Sequence, residues 1–116
     1  MILVTNNVLA KEKYGHEIDV EFREESLSDL LFRVRDLVHS GHCILTHPLS
    51  GSIKPNETPF KSVLLSKKID TTDIESLKII ENSIIIAKNF LTYPIPEEYL
   101  NDLREIDLTL IDSAIK

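Results

Sequence analysis

Cysteine is almost absent from this chain, which indicates the kind of cellular compartment in which the protein works. The 116 residues include one cysteine, Cys43, so no internal disulfide can form. It lies in a short apolar run, Cys43-Ile44-Leu45. Residues 1–5 lack the basic region and the long apolar segment of a signal peptide. We therefore expect a cytoplasmic protein, because reducing compartments favour chains without disulfides.

Long apolar runs are missing as well. The longest such stretch near residue 84 is Ile84-Ile85-Ile86-Ala87, whereas a membrane-spanning helix needs about 20 apolar residues. We expect no contact with a membrane. The apolar content of 42% is nevertheless sufficient for one hydrophobic core, and the length is typical of a single domain.

Positive charge is scarce and unevenly distributed. The net charge is −6, yet residues 42–68 hold four lysines and one glutamate, so this segment is +3 and the remainder is −9. An acidic chain with one basic segment is a poor general binder of nucleic acid. The segment instead suits a small anion or an acidic partner. Within it, Lys54 and Lys61 are the lysines for which we favour a functional role.

The apolar pattern predicts an α/β fold. Short apolar or alternating runs predict strands at residues 2–4, 17–23, 42–46 and 62–66. Helical spacing predicts helices at about 26–40, 72–91 and from 96 onward. We therefore predict one layered α/β domain over residues 1–116, with a mostly parallel sheet of about four strands covered by three helices.

Residues 47–62 form the most distinctive segment. Pro48, Pro55 and Pro59 exclude both a helix and a central strand. A loop of this length is uncommon in a small domain, and such loops are usually functional or disordered. Leu49, Ile53 and Phe60 provide apolar anchors, so the sequence favours a functional loop.

Polar residues follow two of the predicted strands, Thr5-Asn6-Asn7 after the first and Thr46-His47 after the third. If these strands are parallel, their polar ends meet at the carboxyl edge of the sheet, where open α/β sheets bind ligands. The loop would cover that edge, and its Ser-Gly-Ser sequence with a nearby lysine suits phosphate or carboxylate. The predicted ligand-binding residues are Thr5, Asn6, Asn7, Thr46, His47, Ser50, Gly51, Ser52, Lys54, Asn56, Glu57 and Thr58.

His47 is the one residue that we consider for catalysis, as a general acid or base. The Gly-x-Ser-x-Gly elbow of serine hydrolases and the phosphate-binding P-loop spacing are both absent from the sequence. His42 and His47 cannot share a metal ion, because five residues of strand at ~3.3 Å each separate them by about 17 Å. We predict no metal and no cofactor.

Several stretches of this sequence form a recognisable combination. They are Thr5-Asn6-Asn7, then Val34-Arg35-Asp36-Leu37-Val38-His39 with Gly41-His42, then the run from Leu45 to Ser62. Together they resemble the GrdX family, small proteins associated with the glycine, sarcosine and betaine reductase systems of amino-acid-fermenting anaerobes. The resemblance implies an accessory role in amino-acid reduction. It implies no activity and no catalytic residues.

Three hypotheses remain open from the sequence. The first is a non-catalytic accessory protein that binds a small anionic metabolite or a partner through the 47–62 loop. The second is a small enzyme acting on a carboxylate or phosphate ester, with His47 as acid or base and Lys54 holding the anion. The third is a structural subunit that docks on a reductase component through its last helix. A homodimer through the C-terminal helices is also compatible with their surplus of apolar residues.

Overall fold

A sheet of mixed direction lies between two layers of helices in the computed structural model, which describes residues 1–49, 57–90 and 94–115. In chain order the elements are β1 (Ile2–Thr5), α1 (Val8–Tyr14), β2 (Asp19–Phe22), α2 (Leu27–His39), β3 (Ser62–Leu65), α3 (Ile74–Lys88) and α4 (Glu97–Ile115). No helix within the described residues combines the length and the apolar character needed to cross a bilayer.

β1 is the central strand, and the order across the sheet is β2-β1-β3. β1 runs parallel to β2 and antiparallel to β3. Thr5, the last residue of β1, is therefore opposite Phe22 on one side and Ser62 on the other. Two hydroxyl residues thus meet at one end of the sheet, which is otherwise apolar along β1 and β3.

The alternation of side chains along the strands divides the core into two parts. Val4, Val63 and Leu65 pack with α2 and α3 on one face of the sheet. Leu3 and Leu64 pack on the other face, against residues of α1 and α4. Thr5 and Ser62 follow the same alternation, so they belong to the face that α4 covers.

Local signals in the sequence set the helix ends. The Ser26 side chain accepts a hydrogen bond of 3.1 Å from the backbone N–H of Asp29, as its capping position predicts. α3, predicted from about residue 72, begins at Ile74, and Asp73 is its N-cap. After α2, Gly41 has a φ of 114°, which favours glycine.

The prediction of an α/β domain is confirmed, but its count and direction of elements are wrong. The described residues contain three strands in a mixed sheet and four helices, rather than four mostly parallel strands and three helices. The additional helix is α1, which begins where the Asn7 side chain accepts a hydrogen bond from the N–H of Leu9. The direction of β3 could not be read from its apolar run, which is compatible with either direction.

The segment predicted as a strand at 42–46 makes only one isolated bridge, between Ile44 and Leu65. The N–H groups of Leu45 and Thr46 both donate to the carbonyl of Leu64. The Thr46 hydroxyl accepts from the Leu64 N–H at 2.9 Å. A side chain therefore occupies the position of a backbone ladder bond, and the segment leaves the sheet after one pair.

One buried tyrosine links α1 to α4, and this contact yields a first prediction. The Tyr14 hydroxyl donates to the Asp112 carboxylate. Burial, together with this hydrogen bond, raises the pKa of Tyr14 to about 12. Tyr14→Phe removes a hydrogen bond to a charged group, so we expect the free energy of unfolding to fall by about 1.5 kcal/mol in urea denaturation at pH 7.

The control for that measurement is Tyr99→Phe. Tyr99 lies on α4, the helix that carries Asp112, and 54% of its surface is exposed. We expect this change to stay within about 0.5 kcal/mol of the wild type. Equal losses for the two variants would show that the contact with Asp112 does not hold α1 against α4.

Candidate functional site

Two hydroxyls and an asparagine meet where β1 ends and β3 begins. The hydroxyls of Thr5 and Ser62 are 2.7 Å apart, and both residues are buried. The backbone N–H of Asn7 donates to the Thr5 hydroxyl oxygen at 3.0 Å. Their proximity follows from the antiparallel pairing of Thr5 with Ser62, which points both side chains to the α4 face.

Asp107 of α4 completes this network from the opposite side. Its Oδ2 accepts from the Ser62 hydroxyl at 2.7 Å and from the Asn7 side-chain amide at 3.0 Å. Because the Ser62 hydroxyl donates its hydrogen to Asp107, the Ser62 oxygen accepts from the Thr5 hydroxyl. The donors of Thr5, Ser62 and Asn7 are thus all directed toward the carboxylate. Oδ2 of Asp107 is therefore an acceptor on which the hydrogen bonds of this network converge. We call Thr5, Asn7, Ser62 and Asp107 the carboxylate network.

A cavity of about 240 Å³ adjoins the carboxylate network. Polar residues from β3, α4 and the segment after Ile44 form one part of its wall, and apolar residues of α4 form the other. Its lining residues are Thr46, His47, Lys61, Ser62, Asp107, Leu110, Ile111 and Ala114. The cavity thus combines a polar end with an apolar side, as small-molecule sites commonly do.

Lys61 gives this cavity a cationic residue that is only 8% exposed. Burial lowers the pKa of Lys61, while the negative charge of Asp107 acts in the opposite direction. The backbone of Lys61 is held by Asn6, whose Oδ1 accepts from the Lys61 N–H at 2.8 Å. The Asn6 amide also donates to the carbonyl oxygens of Pro59 and Glu25. Asn6 thereby fixes the chain at the entrance to β3.

Thr46 and His47 each have a hydrogen left to donate. The Thr46 oxygen accepts from Leu64, so its own O–H can donate elsewhere. In His47, Nδ1 accepts from the Leu49 N–H at 3.1 Å, which assigns the hydrogen of the neutral ring to Nε2. His47 is exposed at the rim of the cavity.

The structure brings together some of the sequence-predicted residues but not all of them. Thr46 and His47 line the cavity, and Thr5 and Asn7 lie in the carboxylate network beside it. Asn6 lines a different cavity of about 300 Å³ together with residues of α4 and the segment before β3.

The remaining predicted residues belong to the loop. Thr58 accepts from the Phe60 N–H at 3.2 Å, and Glu57 is exposed; neither is among the residues that line the cavity beside Lys61. Five predicted residues lie outside the described residues, and their role stays a prediction: Ser50, Gly51, Ser52, Lys54 and Asn56.

Sequence reasoning missed Ser62 and Asp107. Asp107 did leave a signal, because it lies within the apolar stripe of the last helix, seven residues after Leu100 and four before Ile111. An acidic residue on the buried face of a helix needs a polar partner. Ser62 left none, since a serine at the start of an apolar strand is ordinary.

No group of three or more His, Cys, Asp or Glu side chains suitable for a metal ion occurs within residues 1–49, 57–90 and 94–115. The nearest titratable neighbours in the cavity are a lysine, a histidine and an aspartate, which suit an organic ligand better than a metal ion.

Comparison with known proteins identifies one family. A family model described as GrdX-like protein matches residues 2–116. The resemblance read from the first two-thirds of the sequence is thereby confirmed, and the match extends through α4. Searches of curated proteins and of solved structures gave no match.

The carboxylate network generates a prediction for stability. Ser62→Ala removes the donor to Asp107 and the acceptor of Thr5 in one step, which leaves buried polar atoms without partners. We expect a loss of about 2 kcal/mol in the free energy of unfolding, measured by urea denaturation. The control is Ser113→Ala on the exposed side of α4. A loss no larger than that of the control would contradict a stabilising role for the network.

Lys61 generates a second prediction, for the pH dependence of stability. Its pKa in the folded protein lies below the ordinary value of 10.5. Between these two values the unfolded chain binds more protons than the folded protein, so stability from this group rises with pH. We expect the wild type to gain stability relative to Lys61→Met as the pH rises toward 10.5.

Thermal unfolding at a series of pH values measures this difference, with Lys67→Met as control, since Lys67 is exposed at the end of β3. The change with pH for Lys61→Met should exceed the change for Lys67→Met. Equal changes for the two variants would show that the Lys61 amine is as well solvated as in the unfolded chain.

Proposed function

This chain belongs to the GrdX-like protein family, and we propose that it is an accessory protein of glycine, sarcosine and betaine reductase systems. In this proposal it binds a small anionic metabolite in the cavity between β3 and α4. The observation that carries the proposal is a lysine, Lys61, that is almost completely buried yet lines a cavity.

The cost of burying Lys61 supports an anionic ligand. An ammonium group removed from water loses hydration that the protein has to replace. The lowered pKa of Lys61 records that loss. An anion in the cavity would place a negative charge near Lys61, so binding and the protonated form of Lys61 would stabilise each other.

The other donors of the cavity agree with this charge. The Thr46 O–H and the His47 Nε2–H can both donate, and both residues line the cavity. Charge-assisted hydrogen bonds of this kind are about twice as strong as neutral ones. An oxyanion with two or three oxygens could accept from several of these donors together.

The dimensions of the cavity indicate a small metabolite. A volume of about 240 Å³ lies below the usual range for drug-sized ligands. Leu110, Ile111 and Ala114 form an apolar wall that suits a short aliphatic part. A small carboxylate or a short phosphate ester fits these limits better than a nucleotide. The 47–62 loop begins and ends beside the cavity, so its residues remain candidates for further contacts.

The geometry favours binding over catalysis by His47. Within the described residues no hydrogen bond joins His47 to Ser62 or Asp107. A nucleophile activated by a base needs such a contact in at least one direction. His47 therefore enters the proposal as a donor at the cavity rim.

A second candidate function is docking through α4, alone or as a homodimer. Tyr99, Ile106 and Leu110 are 54%, 41% and 37% exposed, and their spacing places them along one side of the helix. An exposed apolar stripe of this kind fits a reductase component or a second copy of the chain. Sedimentation of the purified protein, alone and mixed with reductase components, tests this candidate.

The experiment for the binding proposal is calorimetric titration with acetate, phosphate and acetyl phosphate. We expect at least one of these anions to bind the wild type, and Lys61→Met to weaken it by about 1.5–3 kcal/mol, the worth of a hydrogen bond to a charged group. Lys67→Met, which removes an exposed lysine, should bind as the wild type does. Equal affinity for both variants would remove Lys61 from the site and end the proposal in this form.

A further inference from the structure

We propose that a second cavity, at the carboxyl ends of β1 and β2, binds a small organic oxyanion that carries an apolar part, through Arg104. This cavity has a volume of about 300 Å³ and shares no lining residue with the cavity between β3 and α4. The inference therefore does not depend on the proposed function. We call it the β1–β2 cavity, and its lining residues include Asn6, Phe22, Glu24, Glu25, Phe60 and Arg104.

The place of the β1–β2 cavity in the sheet favours a ligand site. β1 and β2 are parallel neighbours, so their carboxyl ends lie at the same edge. The helix after β1, α1, packs on the face that α4 covers, whereas the helix after β2, α2, packs with α3 on the opposite face. The chain thus leaves the two strands toward opposite faces, and the crevice at such a point is where open α/β sheets bind ligands. Asn6 follows β1, Glu24 and Glu25 follow β2, and all three line the cavity.

Arg104 gives the β1–β2 cavity a positive charge. Its guanidinium carbon lies 4.7 Å from the centre of the Phe60 ring, and both residues line the cavity. The ring attracts the charge but offers no oxygen acceptor to the N–H groups. Within the described part of the chain those N–H groups make no hydrogen bond and no ion pair. A guanidinium has paired donors that suit two oxygens of one carboxylate or phosphate.

The acidic residues of the β1–β2 cavity do not take the place of such an anion. Glu25 is already paired with Arg33, whose Nε donates to its carboxylate at 2.6 Å. Glu24 is exposed, so water and salt screen its charge. A cationic ligand would be attracted only by this screened carboxylate and would be repelled by Arg104. The charges therefore favour an oxyanion.

Aromatic residues determine the rest of the ligand. Phe22 and Phe60 both line the β1–β2 cavity and are half-buried, as is Val8 beside them in the lining. Aromatic rings pack well against another ring or a short apolar group. The volume of about 300 Å³ is at the lower end of the range for ligand pockets. An aromatic carboxylate or aromatic phosphate with a single ring meets these requirements.

Titration of the wild-type protein, followed by the NMR signals of its backbone amides, tests the inference. Benzoate and phenyl phosphate supply the two kinds of oxyanion. Benzamide keeps the ring without the charge, benzylammonium reverses the charge, and acetate keeps the charge without the ring. We expect benzoate or phenyl phosphate to bind about 10-fold or more tightly than these three. Binding should shift the amide signals of Phe22, Glu24 and Arg104.

Substitution of the arginine tests its contact with the anion. We expect Arg104→Gln to weaken the tighter of the two aromatic anions by about 10- to 100-fold, as the loss of a hydrogen bond to a charged group predicts. The matched control is Arg23→Gln, because Arg23 is exposed, follows β2 and is not among the residues that line the cavity. Arg23→Gln and Lys61→Met should both bind as the wild type does.

The outcomes separate this site from the cavity between β3 and α4. If benzamide or benzylammonium binds as tightly as the aromatic anions, or if Arg104→Gln binds as the wild type does, the oxyanion contact is overturned. If the anions shift the signals of Thr46 and His47 instead, they occupy the other cavity, and the second site is overturned while the proposed function stands. If neither aromatic anion binds, the second site is overturned, and the titration that includes Lys61→Met still decides the proposed function. If Arg104→Gln does not fold, the wild-type affinities and amide signals decide the question.

Discussion

The buried carboxylate of Asp107 is the constraint on which the α4 face of this fold depends. A charged group away from water is tolerated only with hydrogen-bond donors around it, and two of these donors come from the strand ends. Ser62 begins β3, and Asn7 follows β1. A shift of α4 along its axis would separate Asp107 from both donors. The polar contact therefore fixes the position of a helix whose apolar residues could pack in more than one register.

Asn7 extends this constraint to α1. Its Oδ1 caps α1 by accepting from Leu9, and its amide donates to Asp107 and to the carbonyl oxygen of Arg104. One side chain thus satisfies the first turn of one helix and the middle of another. The opposite face of the sheet needs no such device, because α2 and α3 cover it with an apolar core. The proposed ligand-binding cavity lies at the end of the sheet where Thr5 and Ser62 interrupt the apolar pattern of β1 and β3.

The sequence predicted the elements that are determined by local signals and failed where distant residues decide. Ser26 at the start of α2 and the glycine after its end could be read from the sequence, because capping acts over a few residues. The segment at 42–46 has the composition of a strand, but the Thr46 side chain takes a ladder position on β3, and no periodicity reports that. Thr46 and His47 were expected in a pocket because they follow an apolar run. Asp107 was missed because the helical pattern was read for its apolar residues alone.

Lys61 and Asp107 are both buried ionisable residues, but the surrounding hydrogen bonds hold them in different ways. Asp107 receives donors from two strand ends and cannot be changed without disturbing β3, α1 and α4 together. The Asn6 side chain holds the backbone of Lys61, and Lys61 lines the same cavity as Asp107. Burial that lowers a pKa is a cost to the folded protein at neutral pH. A chain selected for stability alone would favour an uncharged side chain of similar length at this position. Binding of an anion is the role that we propose for the retained charge.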